Sequence, residues 1–218
     1  MKTNKKLMIL TLGLGALYLA RWKIACWFMG LATYHWLARV ILPRVRWRLH
    51  KPRLKPEVID KGRKYLRAGD IIVSRKTGYL GSTLTPGYWK HAALIMEDSV
   101  VPYIAEMTAK GFGLVSFNEA CYADRVAIIR CDDWDDDYCK KVTDQCLSFE
   151  GLAYDTAFTL GVASLYCSEL VYEADFEHRL LADLSDLRGL GKQYISPQDI
   201  AEAANVFVVW DSADEEKV

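Results

Sequence analysis

Two apolar runs near the N-terminus, 7–20 (LMILTLGLGALYLA) and 24–38 (IACWFMGLATYHWLA), divide this 218-residue chain into an arm and a body. Only Arg21-Trp22-Lys23 separates them, and four of the seven Trp (Trp22, Trp27, Trp36, Trp47) precede residue 50. Apolar helices flanked by Trp and Arg mark a membrane–water interface. Each run is shorter than the ~20 residues of a straight spanning helix. One helix through both would hold Arg21 and Lys23 at depth, at a cost of roughly 2.5–3.5 kcal/mol each. A helical hairpin over 1–42 avoids that cost by placing the RWK turn at the far surface. Charge follows the same division. Residues 1–60 carry twelve Lys/Arg and two Asp/Glu, a balance of +10, and residues 61–218 carry sixteen and twenty-six, a balance of −10. A basic arm beside apolar runs suits an anionic lipid surface, so a membrane contact through residues 1–55 is expected. A nucleic-acid-binding arm would not need two apolar runs, and that partner is set aside.

The segment 39–56 (RVILPRVRWRLHKPRLKP) is strongly basic. By the positive-inside rule it stays cytoplasmic, which puts the rest of the chain on the cytoplasmic face. The alternative is an uncleaved signal anchor with the body on the periplasmic side, since Lys2, Lys5 and Lys6 precede the first run. The expected division is an anchor over 1–42, a basic linker with three Pro over 43–64, a folded domain over 65–211 and a frayed tail over 212–218.

Within the body, DIIVS (70–74) reads as a strand. The Gly-, Thr- and Pro-rich stretch 75–89 reads as a long loop. Short runs of β-formers follow at 90–96, 100–107, 112–117 and 126–131, separated by turn residues, and predict an antiparallel meander. DDWDDD (132–137) opens a helix, where acidic side chains complement the dipole. A second helix is expected near 164–181 with Ser164 as cap, a short one after Ser196-Pro197, and a last strand at 205–210. A small antiparallel sheet with helices after it makes an α+β domain.

Cys167 is the first candidate for chemistry, because it lies at the expected start of a helix. There the peptide dipoles stabilise a thiolate, and free N–H groups can hold an oxyanion. Cys139 and Cys146 are seven apart, which is core spacing on one helical face. His91 opens a strand directly after the long loop, where a cleft would lie, and is the candidate base. Glu106, on the next strand, is the candidate to orient the imidazole. Only His91 and His178 are available downstream of the arm, neither at ligand spacing to a Cys, so no zinc cage is read. No cofactor or metal is implied.

GDII (69–72), KHAALI (90–95), a Glu near the end of the next strand, GLAYD (151–155) and YCSELVYEA (166–174) together resemble the NlpC-type cysteine peptidase superfamily, more narrowly its circularly permuted YiiX/YebB-like branch. The resemblance covers about residues 65–210. It implies a permuted papain-like fold in which the His strand precedes the Cys helix, and a thiol hydrolase with Cys167 as nucleophile, His91 as base and Glu106 as third member. Tyr154 falls at a recurrent YD element that shapes the cleft, and Ser168 belongs to the CSE motif. Tyr79, Tyr88, Tyr154 and Ser168 are the candidates for lining the cleft or holding the oxyanion. The expected substrate is an amide of peptide or γ-glutamyl type. The alternative is an acyl or lipid-linked substrate, as in the similar lecithin–retinol acyltransferase group. A third reading is a non-catalytic membrane-tethered binding module.

Overall fold

A computed structural model of the chain describes residues 27, 31–41, 44–45, 53–79, 82, 85–96, 103–187 and 191–215. The run 7–20, the RWK turn and most of the basic segment lie outside the described residues. Among the described residues no helix is long and apolar enough to cross a membrane.

Six strands carry the fold: β1 (Ile71–Arg75), β2 (His91–Ile95), β3 (Tyr103–Thr108), β4 (Gly111–Ser116), β5 (Arg125–Cys131) and, at the end of the chain, β8 (Val206–Asp211). They form one sheet in the order β4-β3-β2-β1-β5-β8, with every neighbouring pair antiparallel. A two-residue pair, β6 (Ser185–Asp186) with β7 (Gln193–Tyr194), stands apart from it. The helices are α1 (Ala32–Trp36), which continues as a π-helical turn (Leu37–Ile41), α2 (Pro56–Arg63), α3 (Phe117–Ala120), α4 (Asp136–Leu147), α5 (Cys167–Ala174), α6 (Pro197–Ala201) and α7 (Ser212–Glu215). The α+β class and the meander follow the pattern read from the sequence.

Both faces of the sheet are covered, and strand alternation sorts the side chains between them. Ile71, Val73, Leu94, Ala105 and Ile129 join a core with Tyr138, Val142, Leu170 and Val171 of α4 and α5. Their neighbours Ile72, Ala93, Ile95, Ile104 and Ile128 join a second core with Leu54, Val58, Ile59, Phe117 and Trp210. A sheet buried on both faces needs apolar residues at successive positions, so the inner strands read as continuous apolar runs.

Local signals explain where the helices begin. Asp135 caps α4 by accepting the Tyr138 N–H at 2.8 Å, so the acidic stretch is a helix start. Cys139 and Cys146 are both buried on the inner face of that helix. Ser196 accepts the Asp199 N–H at 3.0 Å, and Pro197 occupies the first turn of α6.

Three expectations need correction. The second half of the 43–64 linker belongs to the folded body: Pro56 starts α2, and Leu54, Val58 and Ile59 bury against the sheet. The tail over 212–218 begins as a helix held to the body. The buried Ser212 Oγ accepts the Val126 N–H at 3.0 Å, and Lys61 Nζ donates to Glu215 Oε2 at 2.6 Å. The helix expected over 164–181 is confined to Cys167–Ala174, and its cap position is Tyr166 instead of Ser164. It stops because the buried Asp175 turns the chain. Asp175 accepts the Leu180 N–H at 2.6 Å and the Tyr138 hydroxyl at 2.5 Å, closing a loop in which His178 adopts a left-handed φ of 51°.

Candidate active site

The sheet brings His91 and Glu106 together by register. Leu94 lies opposite Ala105, so Glu106 stands one diagonal step from His91 on the same face of the two strands. Glu106 Oε2 is 2.9 Å from His91 Nε2. The chain before His91 is pinned from outside the sheet. Gln198 Oε1 of α6 accepts the Tyr88 N–H at 2.8 Å and the Trp89 N–H at 3.1 Å, and Lys90 N–H donates to Ser74 O at 2.8 Å.

Helix α5 packs against β2 and β3 and presents Cys167 as its first residue. The Cys167 and His91 side chains hydrogen-bond, and the Cys167 sulfur also accepts the backbone N–H groups of Ala92 and Ser168. Behind it, Glu169 accepts the Gly161 N–H at 2.8 Å and the Tyr166 N–H at 3.3 Å. The helix start and the loop before it are therefore one unit.

That loop is shaped by Asp155. Its carboxylate accepts the Ala157 N–H at 2.7 Å and the Thr159 N–H at 2.5 Å, and this turn holds Phe158 at φ 53°. Lys192 Nζ donates to Ala157 O at 2.6 Å and to Thr159 Oγ1 at 2.7 Å. Tyr154, just before the turn, faces a cavity of about 400 Å³ that holds His91, Glu106 and Cys167.

The electrostatics single out one thiol. Burial pushes the Cys167 pKa up, but the His91 hydrogen bond and charge and the two backbone N–H groups outweigh it, and the net shift is downward. Burial pulls His91 down, but its bonds to Cys167 and Glu106 and their charges raise it to about 10. Glu106 is lowered: burial opposes its ionisation, and His91, Lys76 and Lys110 overcome that. Both shifts favour the thiolate–imidazolium form of the pair. By contrast, burial raises Cys121 and Cys146 to about 12 and Cys131 to about 11, and it raises Cys139 as well. Burial also raises Tyr154 well above the ordinary phenol value, so its hydroxyl stays a proton donor at neutral pH.

Of the other expected lining residues, Tyr79 and Ser168 border the cavity. The Ser168 hydroxyl, however, donates to Ile195 O at 2.8 Å and fixes the helix to its neighbour. Tyr88 is not a cleft residue. Its hydroxyl accepts from Arg125 Nη1 at 3.1 Å, and its ring lies under the Arg75 guanidinium, 4.1 Å away. The aromatic side chain found better partners in two cations outside the cleft. Sequence reasoning missed the donors of Ala92 and Ser168, since any residue but Pro carries an N–H. It also missed Tyr34 and Ala38, which border the cavity from the arm.

The model of the permuted papain-like amidase enzymes, YaeF/YiiX, C92 family, matches residues 65–216. The chain belongs to that family. Membership implies a cysteine-type amidase or peptidase. Among solved structures the chain is similar to one described as metalloprotein yiiX from Escherichia coli O157:H7, at 18% identity and a TM-score of 0.56. The match covers 66% of this chain and 96% of that one, and it is a likeness of fold. No curated protein matches the chain. Among the described residues of this permuted amidase, no group of three or more His, Cys, Asp and Glu could hold a metal ion.

Proposed function

We propose that the chain is a thiol amidase working through a Cys167–His91–Glu106 triad and an acyl-enzyme. The observation that carries this reading is the meeting of Cys167, first residue of α5, with His91 and Glu106 in one cavity, Glu106 Oε2 standing 2.9 Å from His91 Nε2; the same surroundings lower Cys167 while burial raises the four other described cysteines. The Cys167 thiolate attacks the amide carbonyl, forming the S–C bond and a tetrahedral oxyanion. The backbone N–H of Cys167, at the start of α5, and the Tyr154 hydroxyl are the donors for that oxyanion. The C–N bond breaks as the His91 imidazolium gives its proton to the departing amine. Water, deprotonated by His91, then attacks the thioester, and the acid leaves as the thiol is restored. Glu106 fixes the tautomer and orientation of the imidazole, as the acid does in a serine triad. Peptide or γ-glutamyl amides are the substrates of this reading.

The arm completes it. The hairpin over 1–42 and the basic segment after it attach the enzyme to a membrane on its cytoplasmic face. The two apolar runs, the clustered Trp and the +10 balance support this.

The test is iodoacetamide alkylation of the full chain across pH, with the modified cysteine mapped by mass spectrometry. Cys167 is expected to react first, with an apparent pKa below the ordinary ~8.5. His91→Ala is expected to move that pKa up, because burial remains while the imidazolium is lost, and to cut amide turnover by roughly 10²–10⁴-fold. Cys167 reacting no faster than Cys121 or Cys146 would sink the proposal.

A further inference from the structure

The left-handed φ of Phe158, 53°, strains a bulky side chain and lasts only where the surroundings over-determine it. Here they do so from two sides. Within the loop, Asp155 accepts the N–H groups of Ala157 and Thr159. From outside it, Lys192 Nζ donates to Ala157 O at 2.6 Å and to Thr159 Oγ1 at 2.7 Å. Ala157 and Thr159 are the two neighbours of Phe158, so its backbone is clamped on both flanks. The ammonium meets two neutral oxygens and joins none of the ion pairs among the described residues. Lys192 comes from a fixed element. It directly precedes β7, and the residue after β7 is tied to the start of α5: Ile195 N–H donates to the Tyr166 hydroxyl at 2.9 Å, and Ser168 Oγ donates to Ile195 O at 2.8 Å. The clamped ring faces Tyr154. The two rings meet edge to face, centroids 6.5 Å apart at 87°, while Tyr166 lies 5.1 Å from Phe158. The main chain around Tyr154 is held separately, by Asp155 N–H to Leu165 O at 2.9 Å and Leu165 N–H to Ala153 O at 3.2 Å. Tyr154 borders the same cavity as Cys167, and after burial the Cys167 charge is what most raises its pKa.

We infer that Lys192 is a positioning residue for the reaction: it clamps the strained Phe158, whose ring holds the Tyr154 hydroxyl where the oxyanion forms. The juxtaposition that carries this is one ammonium bonded on both sides of a left-handed residue whose ring meets Tyr154. Strain of this kind is retained where it pre-organises a site, and a donor aimed in advance at a developing oxyanion is such a case. Lys192 does not itself border the cavity, so it acts through Phe158 and Tyr154 and touches no reacting atom. The inference rests on the thiol-hydrolase reading, in which Tyr154 donates to the oxyanion.

The probe is p-nitrophenyl acetate, given to the full chain in phosphatidylcholine nanodiscs with Cys167→Ser as the blank. The Cys167 sulfur bonds the acetyl carbon, p-nitrophenolate leaves, and water then releases acetate. Tyr154→Phe, which removes the donor, is expected to lower kcat by about 10²–10³-fold. Lys192→Met, which keeps the chain length and removes both bonds, is expected to lower kcat by about 10–10²-fold and to leave KM within about twofold. Placed on Tyr154→Phe, the same Lys192→Met should cost no more than about a further twofold, because the hydroxyl it positions is already gone. Lys192→Arg, which can still donate to both oxygens, should recover most of the rate. Phe158→Gly accepts the same φ without strain and lacks the ring, so its kcat should fall as far as that of Lys192→Met. Iodoacetamide should label Cys167 in Lys192→Met as fast as in wild type, since the clamp does not touch the thiolate. Losses from Lys192→Met and Tyr154→Phe that multiply would overturn the inference while leaving the triad intact. So would a loss confined to KM, a slowed labelling of Cys167, or a wild-type kcat in Lys192→Met, Phe158→Gly or Tyr154→Phe. No p-nitrophenolate above the Cys167→Ser blank would overturn the parent reading, and this one with it.

Discussion

Glu106 reaches the reaction only through His91, so its contribution is best read in a pH profile. In the proposed mechanism, activity requires the Cys167 thiolate together with the His91 imidazolium. The acid limb of kcat/KM therefore follows Cys167, which is lowered, and the alkaline limb follows His91, raised to about 10. Glu106→Gln removes one of the charges that holds the imidazolium, so the alkaline limb is expected to move to lower pH. A merely structural Glu106 would lower the plateau without moving that limb. Glu169 offers a second test. Burial pushes its carboxyl up to about 8 against the two N–H groups that it accepts. A carboxyl raised in the fold contributes stability below its unfolded pKa, near the ordinary Glu value, and loses it as pH rises toward about 8. Unfolding free energies of wild type and Glu169→Gln, measured by denaturant across pH 4–9, should diverge over that window in favour of the variant. That Cys167, His91 and Glu106 would meet was legible because each chemical type occurs once in a suitable place. The role of Tyr88 was not, because its partners Arg75 and Arg125 meet it only through sheet pairing.

At the scale of elements, the turn before β1 shows why a short motif constrains the fold. Gly69 has φ +87°, and a Cβ there would sit 2.5 Å from the sulfur of Cys139 on α4. Its N–H also donates to Ile95 O at 2.9 Å. The turn, the helix and the end of β2 therefore close on a position that admits no side chain. Gly69→Ala is expected to cost about 2–4 kcal/mol, from strain together with overpacking, as read by urea unfolding. The strands were readable from their β-branched runs and turn residues, and the start of α4 from its acids. The end of α5 was not, since it is set by Asp175 meeting Tyr138 across a distance that the sequence leaves open.

Across the whole molecule, the first helix of the body and the last strand share one contact. Trp210 of β8 lies against Gly62 of α2, where a Cβ would stand 2.8 Å from the indole ring. That contact belongs to the second core, which covers the sheet face away from α4 and α5. Trp210→Ala is expected to lose about 3–5 kcal/mol of stability by denaturant unfolding. The loss of the α2 packing should appear as faster hydrogen exchange over 54–63. Residues 54–63 read as linker because their three basic side chains and Pro56 conceal a short apolar stripe of Leu54, Val58 and Ile59. The spread of thiol acidity over the same body also bears on oxidative damage. Peroxide attacks thiolates, and a thiol raised to about 11 or 12 holds almost none at neutral pH. Among the described cysteines, oxidant should therefore consume Cys167 first, as a sulfenic acid, and silence the enzyme while its cores remain intact.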